Sequence, residues 1–240
     1  MILGLIPFTV CILIVQIIRN PPADYVPPTP KNFKETVAKV VSTVDHTLSE
    51  MVKTKRFYLM FAIFLFSSSV GVMIIGKITQ IAETQFAITN TQLLTGLVAF
   101  LAVTNTLGRV IGGMMFDRIG PINALFVVLT LQMLNMLGFM IYGNLVMLVI
   151  GIIIVGFSFG TLLAVFPALT AAQFGLKNFG ANYGIVLMGW GLSAIVAPTM
   201  ANFLYESHGN FYIAYLICAI MTAVMIFMNY LLKRNLATLK

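Results

Sequence analysis

Charged residues are scarce in this sequence of 240 residues. Asp, Glu, Lys and Arg together make up 9% of it, whereas about one quarter is usual in a soluble domain. Hydrophobic residues account for 60%, and the mean hydropathy is +0.99. So few charges cannot cover the surface of a water-soluble fold, and the composition predicts an integral membrane protein.

Acids and cysteines are also few, and their positions argue against several kinds of site. None of the seven acids lies deep in an apolar run, and His46 and His208 lie outside the long apolar runs as well. Cys11 and Cys218 are far apart in the sequence, and each is predicted to be a small packing residue. Because no nucleophile lies beside a base and no metal cluster or phosphate loop is recognisable, we expect neither an enzyme nor a cofactor.

Six long apolar runs follow residue 56, and each is long enough to cross a bilayer as a helix. They predict spans at about 57–82, 91–115, 121–142, 145–170, 181–204 and 211–232. Residues 1–18 form a further apolar run. This run lacks the basic leading region and the cleavage site of a signal peptide, so it is predicted to be another membrane helix.

The only long polar segment covers residues 19–56. It opens with RNPPADYVPPTP, where clustered prolines favour an extended backbone. The part that follows, KNFKETVAKVVSTVDHTLSEMVKTKR, fits a short amphipathic helix at the membrane surface.

The basic residues indicate the orientation of the spans, because cytoplasmic loops are enriched in Lys and Arg. Twelve of the fourteen fall on one side if 19–56 and the tail 233–240 are cytoplasmic, and the loops on the opposite side contain none. Topology thus explains the net charge of +7 better than nucleic-acid binding does. The first helix must then run from outside to inside, which leads us to expect that other helices precede it.

A membrane-boundary motif connects this pattern to a known family. Residues 113–120 read G-x-x-x-D-R-x-G, which resembles the loop motif of the major facilitator superfamily. The stretches RNPPADYVP, TKRFYLMFAIFLFSSSVGVMIIGKITQIAE, NTLGRVIGG and NYGIVLMGWGLSAIVAP look like the second half of the oxalate/formate antiporter family, which is related to the monocarboxylate porters.

The resemblance implies a fold and an alignment for nearly the whole chain. Residues 1–18 would match the end of a sixth helix, 19–56 a central cytoplasmic loop, and 57–232 a six-helix half-bundle built as a three-plus-three repeat. The small-residue segments SSSVG at 67–71 and GFSFG at 156–160 lie in the first helix of each triplet and allow close helix approach, which generic bundle packing also explains. The chain would thus be one half of a twelve-helix transporter.

Arg109 is the main candidate for substrate binding. It lies within a span, about 12 Å from the boundary residue Asp117 at 1.5 Å per residue, and Asn105 and Gly113 flank it one turn away on either side. Snorkelling to the cytoplasmic surface is the structural alternative. The resemblance implies a carboxylate-binding arginine at this position, and a guanidinium can hold a carboxylate by two parallel hydrogen bonds. Asn105 stands where monocarboxylate porters commonly have an acid.

Two further residues are candidates at the same site. Trp190 either closes the cavity above a small monocarboxylate or packs between helices, and the stretch around it has no second cation to hold a dianion. Lys77, beside Thr79 and Gln80, either reaches the headgroups or attracts anions.

The remaining candidates concern movement. The resemblance assigns gating to Gly113, Asp117, Arg118 and Gly120, although Pro121 replaces the usual basic residue after the motif. Pro167 and Pro198 are predicted to kink their helices.

The sequence therefore predicts alternating-access transport of a small organic anion, such as formate, lactate or oxalate, through the plasma or inner membrane. Its partners would be the carboxylate, the bilayer, and either an N-terminal six-helix half or a second copy of the chain. Symport and antiport both stay open. Two alternatives also remain: a truncated interaction module that does not transport, and a half-transporter that is active only as a dimer.

Overall fold

The structure, a computed structural model, describes residues 45–237 together with Ile12 and Gln16. The chain divides into two compact units, Met1–Lys34 and Glu35–Lys240, and residues 45–237 all belong to the second. Ile12 and Gln16 are helical. The rest of the predicted helix 1–18, the proline-rich stretch and the end of the tail lie outside the described residues.

Residues 45–237 contain seven helices and no strand. They are α1 (Leu48–Met51), α2 (Lys55–Phe86), α3 (Thr91–Ile119), α4 (Pro121–Phe139), α5 (Leu145–Phe174), α6 (Phe179–His208) and α7 (Tyr212–Ala237). Helices α2 to α7 are each long and apolar enough to cross a membrane. The predicted all-α membrane fold is confirmed.

The helices extend beyond most of the apolar runs because their polar ends are helical too. Threonine and asparagine side chains cap the starts of α2, α3 and α5: Thr54 accepts from the Phe57 backbone N–H at 3.2 Å, Asn90 from Leu93 at 3.1 Å, and Asn144 from Met147 at 3.0 Å. These N-caps satisfy donors that the first helical turn leaves free.

Helix α4 is shorter than its apolar run, which continues to residue 142. It ends at Phe139, and the N–H groups of Ile141 and Tyr142 both turn back to the carbonyl of Gly138. Gln85 of α2 donates to the carbonyls of Phe139 at 2.7 Å and Tyr142 at 3.1 Å. A partner distant in sequence therefore fixes this end.

Helix α5 is the centre of the bundle and contacts α2, α3, α4 and α6. Helix α3 packs chiefly on α5, α2 on α6, and α4 on α7. Two apolar clusters fill the interior, one around Met73, Phe139 and Tyr215 and the other around Phe64 and Phe166. The rings of Phe64 and Phe166 stack at 4.1 Å and join α2 to α5.

The small-residue segments of α2 and α5 do meet. A Cβ on Gly71 would lie 3.0 Å from Cγ of Phe159, so the aromatic ring occupies the space that a side chain at residue 71 would need. The close approach expected from SSSVG and GFSFG is present in the fold.

Buried side-chain amides of Gln and Asn connect neighbouring helices. Gln132 of α4 donates to the carbonyl of Ser67 at 3.0 Å, Asn135 to that of Gly151 at 3.0 Å, and Asn229 of α7 to that of Ile122 at 3.0 Å. Each bond links two different helices, which is the usual role of such side chains within a bilayer.

Candidate functional site

Helix α3 has two exposed faces of opposite chemistry. Buried residues form one stripe, from Leu94 through Leu101 to Gly112. Because successive helical residues turn by about 100°, the rest divides into a face of large apolar residues and a face of small and polar ones. The apolar face comprises Phe100, Val103, Leu107, Val110, Ile111 and Met114, and the small polar face comprises Ala102, Asn105, Thr106, Arg109 and Gly113. Only the first suits contact with lipid chains.

Arg109 lies exposed in the middle of the small polar face. Its Nε donates to Oδ1 of Asn105, one turn earlier, at 3.3 Å. Within the described part of the chain no carboxylate pairs with it. A neutral amide orients the guanidinium and leaves its charge uncompensated, so the group can accept an anion.

Glycines bring α3 and α5 together directly behind Arg109. A Cβ on Gly160 would lie 3.0 Å from the Arg109 backbone nitrogen, and one on Gly108 would lie 2.8 Å from Cα of Phe157. Oγ1 of Thr161 donates to the carbonyl of Gly108 at 3.0 Å. Both helices carry glycines four residues apart, at 108 and 112 and at 156 and 160, which is the spacing that permits backbone contact. The backbone of Arg109 is therefore held by a rigid helix pair.

Helix α6 repeats the two-faced pattern of α3. One exposed face is apolar, and the other carries small and aromatic residues; the first comprises Met188, Leu192, Ile195, Val196 and Phe203, and the second comprises Gly180, Tyr183, Gly184, Trp190, Gly191 and Ala194. Tyr183 lies four residues after the first residue of α6, and Arg109 lies ten residues before the last residue of α3. The alternation of the spans brings these two helix ends to the same side of the bundle. Tyr183 was not predicted as a site residue; its only signal in the sequence was its position seven residues before Trp190 on the same helical face.

Trp190 is half-buried and packs beside the Phe64 and Phe166 cluster. Its Nε1 is buried and has no hydrogen-bond partner among the residues the structure describes. A buried donor without a partner is costly, by about 1–3 kcal/mol. The indole therefore has an unused donor on α6.

The other candidates lie apart from Arg109. Lys77 is half-buried near the opposite end of the bundle, and its Nζ donates to Oε1 of Gln80 at 3.3 Å. Asp117 and Arg118 are exposed at the end of α3. Gly120 has a φ of +79°, a backbone conformation that favours glycine, between α3 and α4.

Pro167 and Pro198 lie inside α5 and α6, and both helices continue through them. Pro198 belongs to the half-buried residues of α6, while Pro167 follows Phe166 of the apolar cluster. The kinks predicted at these prolines stay a prediction.

The sequence of this chain is similar to those of known proteins. Residues 135–238 match the domain described as Major Facilitator Superfamily. The chain is 28% identical over 167 residues to a protein of Escherichia coli strain K12 named "Uncharacterized MFS-type transporter YhjX", a match that covers 69% of this chain and 41% of that protein.

Solved transporter structures share the fold. The outward conformation of the Major Facilitator Superfamily transporter FucP superimposes with a TM-score of 0.66 at 15% identity, over 92% of this chain and 50% of that one. A structure of the E. coli fucose:proton symporter FucP gives a TM-score of 0.65 at 14% identity, over 92% and 51%.

The six candidate spans indicate a multi-pass membrane protein, and its helical fold is that of the solved Major Facilitator Superfamily structures. Residues 135–238, which comprise the end of α4 and all of α5, α6 and α7, are similar in sequence to that superfamily. The chain spans about half the length of the proteins that it matches.

Proposed function

We propose that the chain is the C-terminal half of an alternating-access transporter for a small organic anion, and that Arg109 binds the carboxylate of this substrate. The observation that carries the proposal is an exposed arginine that has no acidic partner among the residues the structure describes and that lies in mid-helix on a face too polar for lipid. A lone guanidinium there is tolerable when the face borders a cavity that an anion can enter.

The placement as a C-terminal half rests on the sequence resemblance and on length. Six spans and about half the length of a transporter correspond to one half of the twelve-helix design. In this placement the end of the bundle that holds Arg118, Lys177 and Lys233 is cytoplasmic, which follows the distribution of basic residues.

A monoanion is the substrate class that fits these residues best. Arg109 offers one positive charge, and the small and aromatic face of α6 carries the hydroxyl of Tyr183 and the indole N–H of Trp190 but no Lys or Arg. Formate and lactate satisfy one guanidinium, whereas oxalate would leave one carboxylate to be balanced by residues elsewhere. Asn105, which is neutral, cannot carry a proton for symport, so any coupling group belongs to the other half or to the substrate.

Uptake of labelled formate, lactate and oxalate into proteoliposomes tests the proposal. The assay compares the chain alone with the complete transporter that contains it, in unmodified form and as Arg109→Gln. We expect Arg109→Gln to lower the affinity by about 10- to 100-fold, because it removes a charge-assisted pair of hydrogen bonds.

Arg234→Gln, which removes an exposed arginine from α7, is the matched control and should leave uptake unchanged. Unchanged uptake in a correctly inserted Arg109→Gln protein would show that Arg109 is not the anchor. Uptake by the chain alone would favour a dimer of halves, and no uptake by either preparation would favour an interaction module.

A further inference from the structure

The segment before α2 is bonded to the turn between α5 and α6. The backbone N–H of His46 donates to the carbonyl of Phe174, the last residue of α5, at 2.9 Å. The His46 carbonyl accepts from Nδ2 of Asn178 at 3.1 Å and from Nδ2 of Asn182 at 3.0 Å. One peptide segment thus links the end of α5 to the start of α6.

A second set of contacts strengthens this link. Oδ1 of Asp45 accepts from the backbone N–H of Lys177 at 3.1 Å. Gly175, with a φ of +81°, lies so close to Asp45 that an added Cβ would be 2.9 Å from its Cα. The ring of His46 meets that of Phe174 edge-on at 5.8 Å. A side chain at residue 175 would be disfavoured by the positive φ and would also collide with Asp45. Glycine at this position therefore makes the contact possible.

The segment is also stabilised by contacts of its own. Thr47 and Glu50 form a capping box around α1, in which the Thr47 N–H donates to Glu50 Oε2 at 2.7 Å and the Glu50 N–H donates to Thr47 Oγ1 at 3.4 Å. The backbone hydrogen bond from Thr47 lowers the pKa of Glu50 below its usual value. Met51 is fully buried in the cluster around Phe64 and Phe166.

What the segment holds is the first turn of α6. The N-cap residue Asn178 makes no side-chain bond to its own helix; its amide and that of Asn182 both reach His46 instead. Directly after Asn182 comes Tyr183, whose ring stacks parallel to that of Phe179 at 5.5 Å. The same turn therefore carries the attachment and the tyrosine of the small and aromatic face of α6.

We propose that residues Asp45–Thr54 form a clasp, with Asn178 and Asn182 as positioning residues, which ties the start of α6 to the end of α5 and so fixes Tyr183 in the site. Its consequence for anion binding rests on the proposed function; the attachment itself does not. Because two spans are fastened to the segment that leads into α2, these elements move as one body at this end of the bundle.

Hydrogen exchange on the full chain in lipid nanodiscs tests the clasp. The variant Asn178→Ala/Asn182→Leu removes both side-chain donors to His46, and leucine keeps the volume of Asn182, whose Oδ1 has no partner among the described residues. We expect amide exchange across residues 179–186 to rise at least tenfold, with unchanged exchange in α7. Asn202→Leu, an exposed position on the same helix, is the control.

A cross-link tests whether restoring the attachment reverses the effect of the variant. Oδ1 of Asp45 lies 3.1 Å from the backbone nitrogen of Lys177, so cysteines introduced at residues 45 and 177 lie close enough for a short bifunctional maleimide to join them. This cross-link, added to the Asn178→Ala/Asn182→Leu variant, should restore slow exchange in 179–186. Equal exchange in the double variant and the control, or fast exchange despite the cross-link, would overturn the clasp.

Trp190 is the only tryptophan of the chain, so its intrinsic fluorescence reports on the surroundings of α6 without an added label. In the unmodified chain, formate should change its emission, and the clasp variant should shift the half-maximal formate concentration upward at least threefold. A shift in exchange without a shift in formate affinity would refute the positioning of Tyr183. Absence of any formate response in the unmodified chain would show that this half does not bind formate by itself, and the exchange result would still decide the clasp.

Discussion

Helices α3 and α5 pack on each other along most of their length, yet their surroundings differ. In the most apolar 18-residue window of α5, 56% of the residues are buried, against 28% in α3, and the mean hydropathy falls from 2.6 to 1.5. Helix α5 is largely covered by other helices, and its exposed residues near the start, such as Val146 and Ile150, are apolar. Helix α3 divides its exposed surface between an apolar face and a polar one, so exposure in this bundle does not by itself indicate lipid.

The largest expected effect comes from reversing the chemistry of the two exposed faces of α3. Val110 is 60% exposed on the apolar face, and Val110→Arg would place a charge in hydrocarbon at a cost of about 2.5–3.5 kcal/mol. Thr106→Arg places the same charge on the small polar face. The yield of folded protein from membranes should fall for Val110→Arg and stay near that of the unmodified chain for Thr106→Arg; equal losses would remove the distinction between the faces.

A smaller loss is expected where α3 touches α5. Gly160→Ala would force the backbone of Asn105 and Arg109 away from α5, and overpacking of this kind costs about 1–3 kcal/mol. Gly96→Ala adds the same methyl group to α3 where no atom lies within 4 Å. The thermal unfolding midpoint in detergent should fall for the first and hold for the second. A stable Gly160→Ala protein would mean that the two helices are not in backbone contact.

Thr161→Val tests the contact between α3 and α5 without adding a steric clash. It deletes the 3.0 Å bond from Thr161 to the Gly108 carbonyl and preserves the shape of the side chain. Interhelical bonds in membranes average about 0.6 kcal/mol, so the midpoint should drop by less than it does for Gly160→Ala. Thr95→Val, at an exposed position of α3, provides the control, and an equal drop there would argue against a specific role for Thr161.

The smallest effect is expected at Lys77, far from Arg109. If this lysine attracts anions, Lys77→Gln should lower the uptake rate of the complete transporter by less than threefold, and only at low salt, since salt screens long-range attraction. Gln80→Ala, which removes the partner of Lys77 and keeps the charge, should leave the rate unaltered. A loss that persists at high salt would place Lys77 in direct contact with the substrate.

Much of the fold was predictable because a bilayer imposes a local rule. A helix that crosses hydrocarbon needs a long apolar run, and all six predicted spans correspond to helices of the structure, from α2 to α7. The exception was the end of α4, where Met140, Ile141 and Tyr142 are apolar enough to continue. Hydropathy cannot show that Gln85, more than fifty residues away, binds the carbonyls at that turn.

The candidate site was predictable only in part. Arg109 and Asn105 stood out because a charge within an apolar run is unusual in any sequence, and their spacing of four residues gives the hydrogen bond that the structure contains. Tyr183 did not stand out, because an aromatic residue in a membrane helix is ordinary until its neighbour is known. The contacts of the clasp could not be predicted either, since the residues that they join lie about 130 positions apart in the sequence.

The six spans after residue 56 and the arginine within one of them could be read from the sequence alone, because length, hydropathy and charge act on each helix separately. Tertiary structure decided which side of α3 is polar and open, which glycines bring α5 against the backbone of Arg109, and how His46 fastens α6. These depend on the pairing of helices, and pairing follows from shape and hydrogen bonds between residues that no local pattern connects.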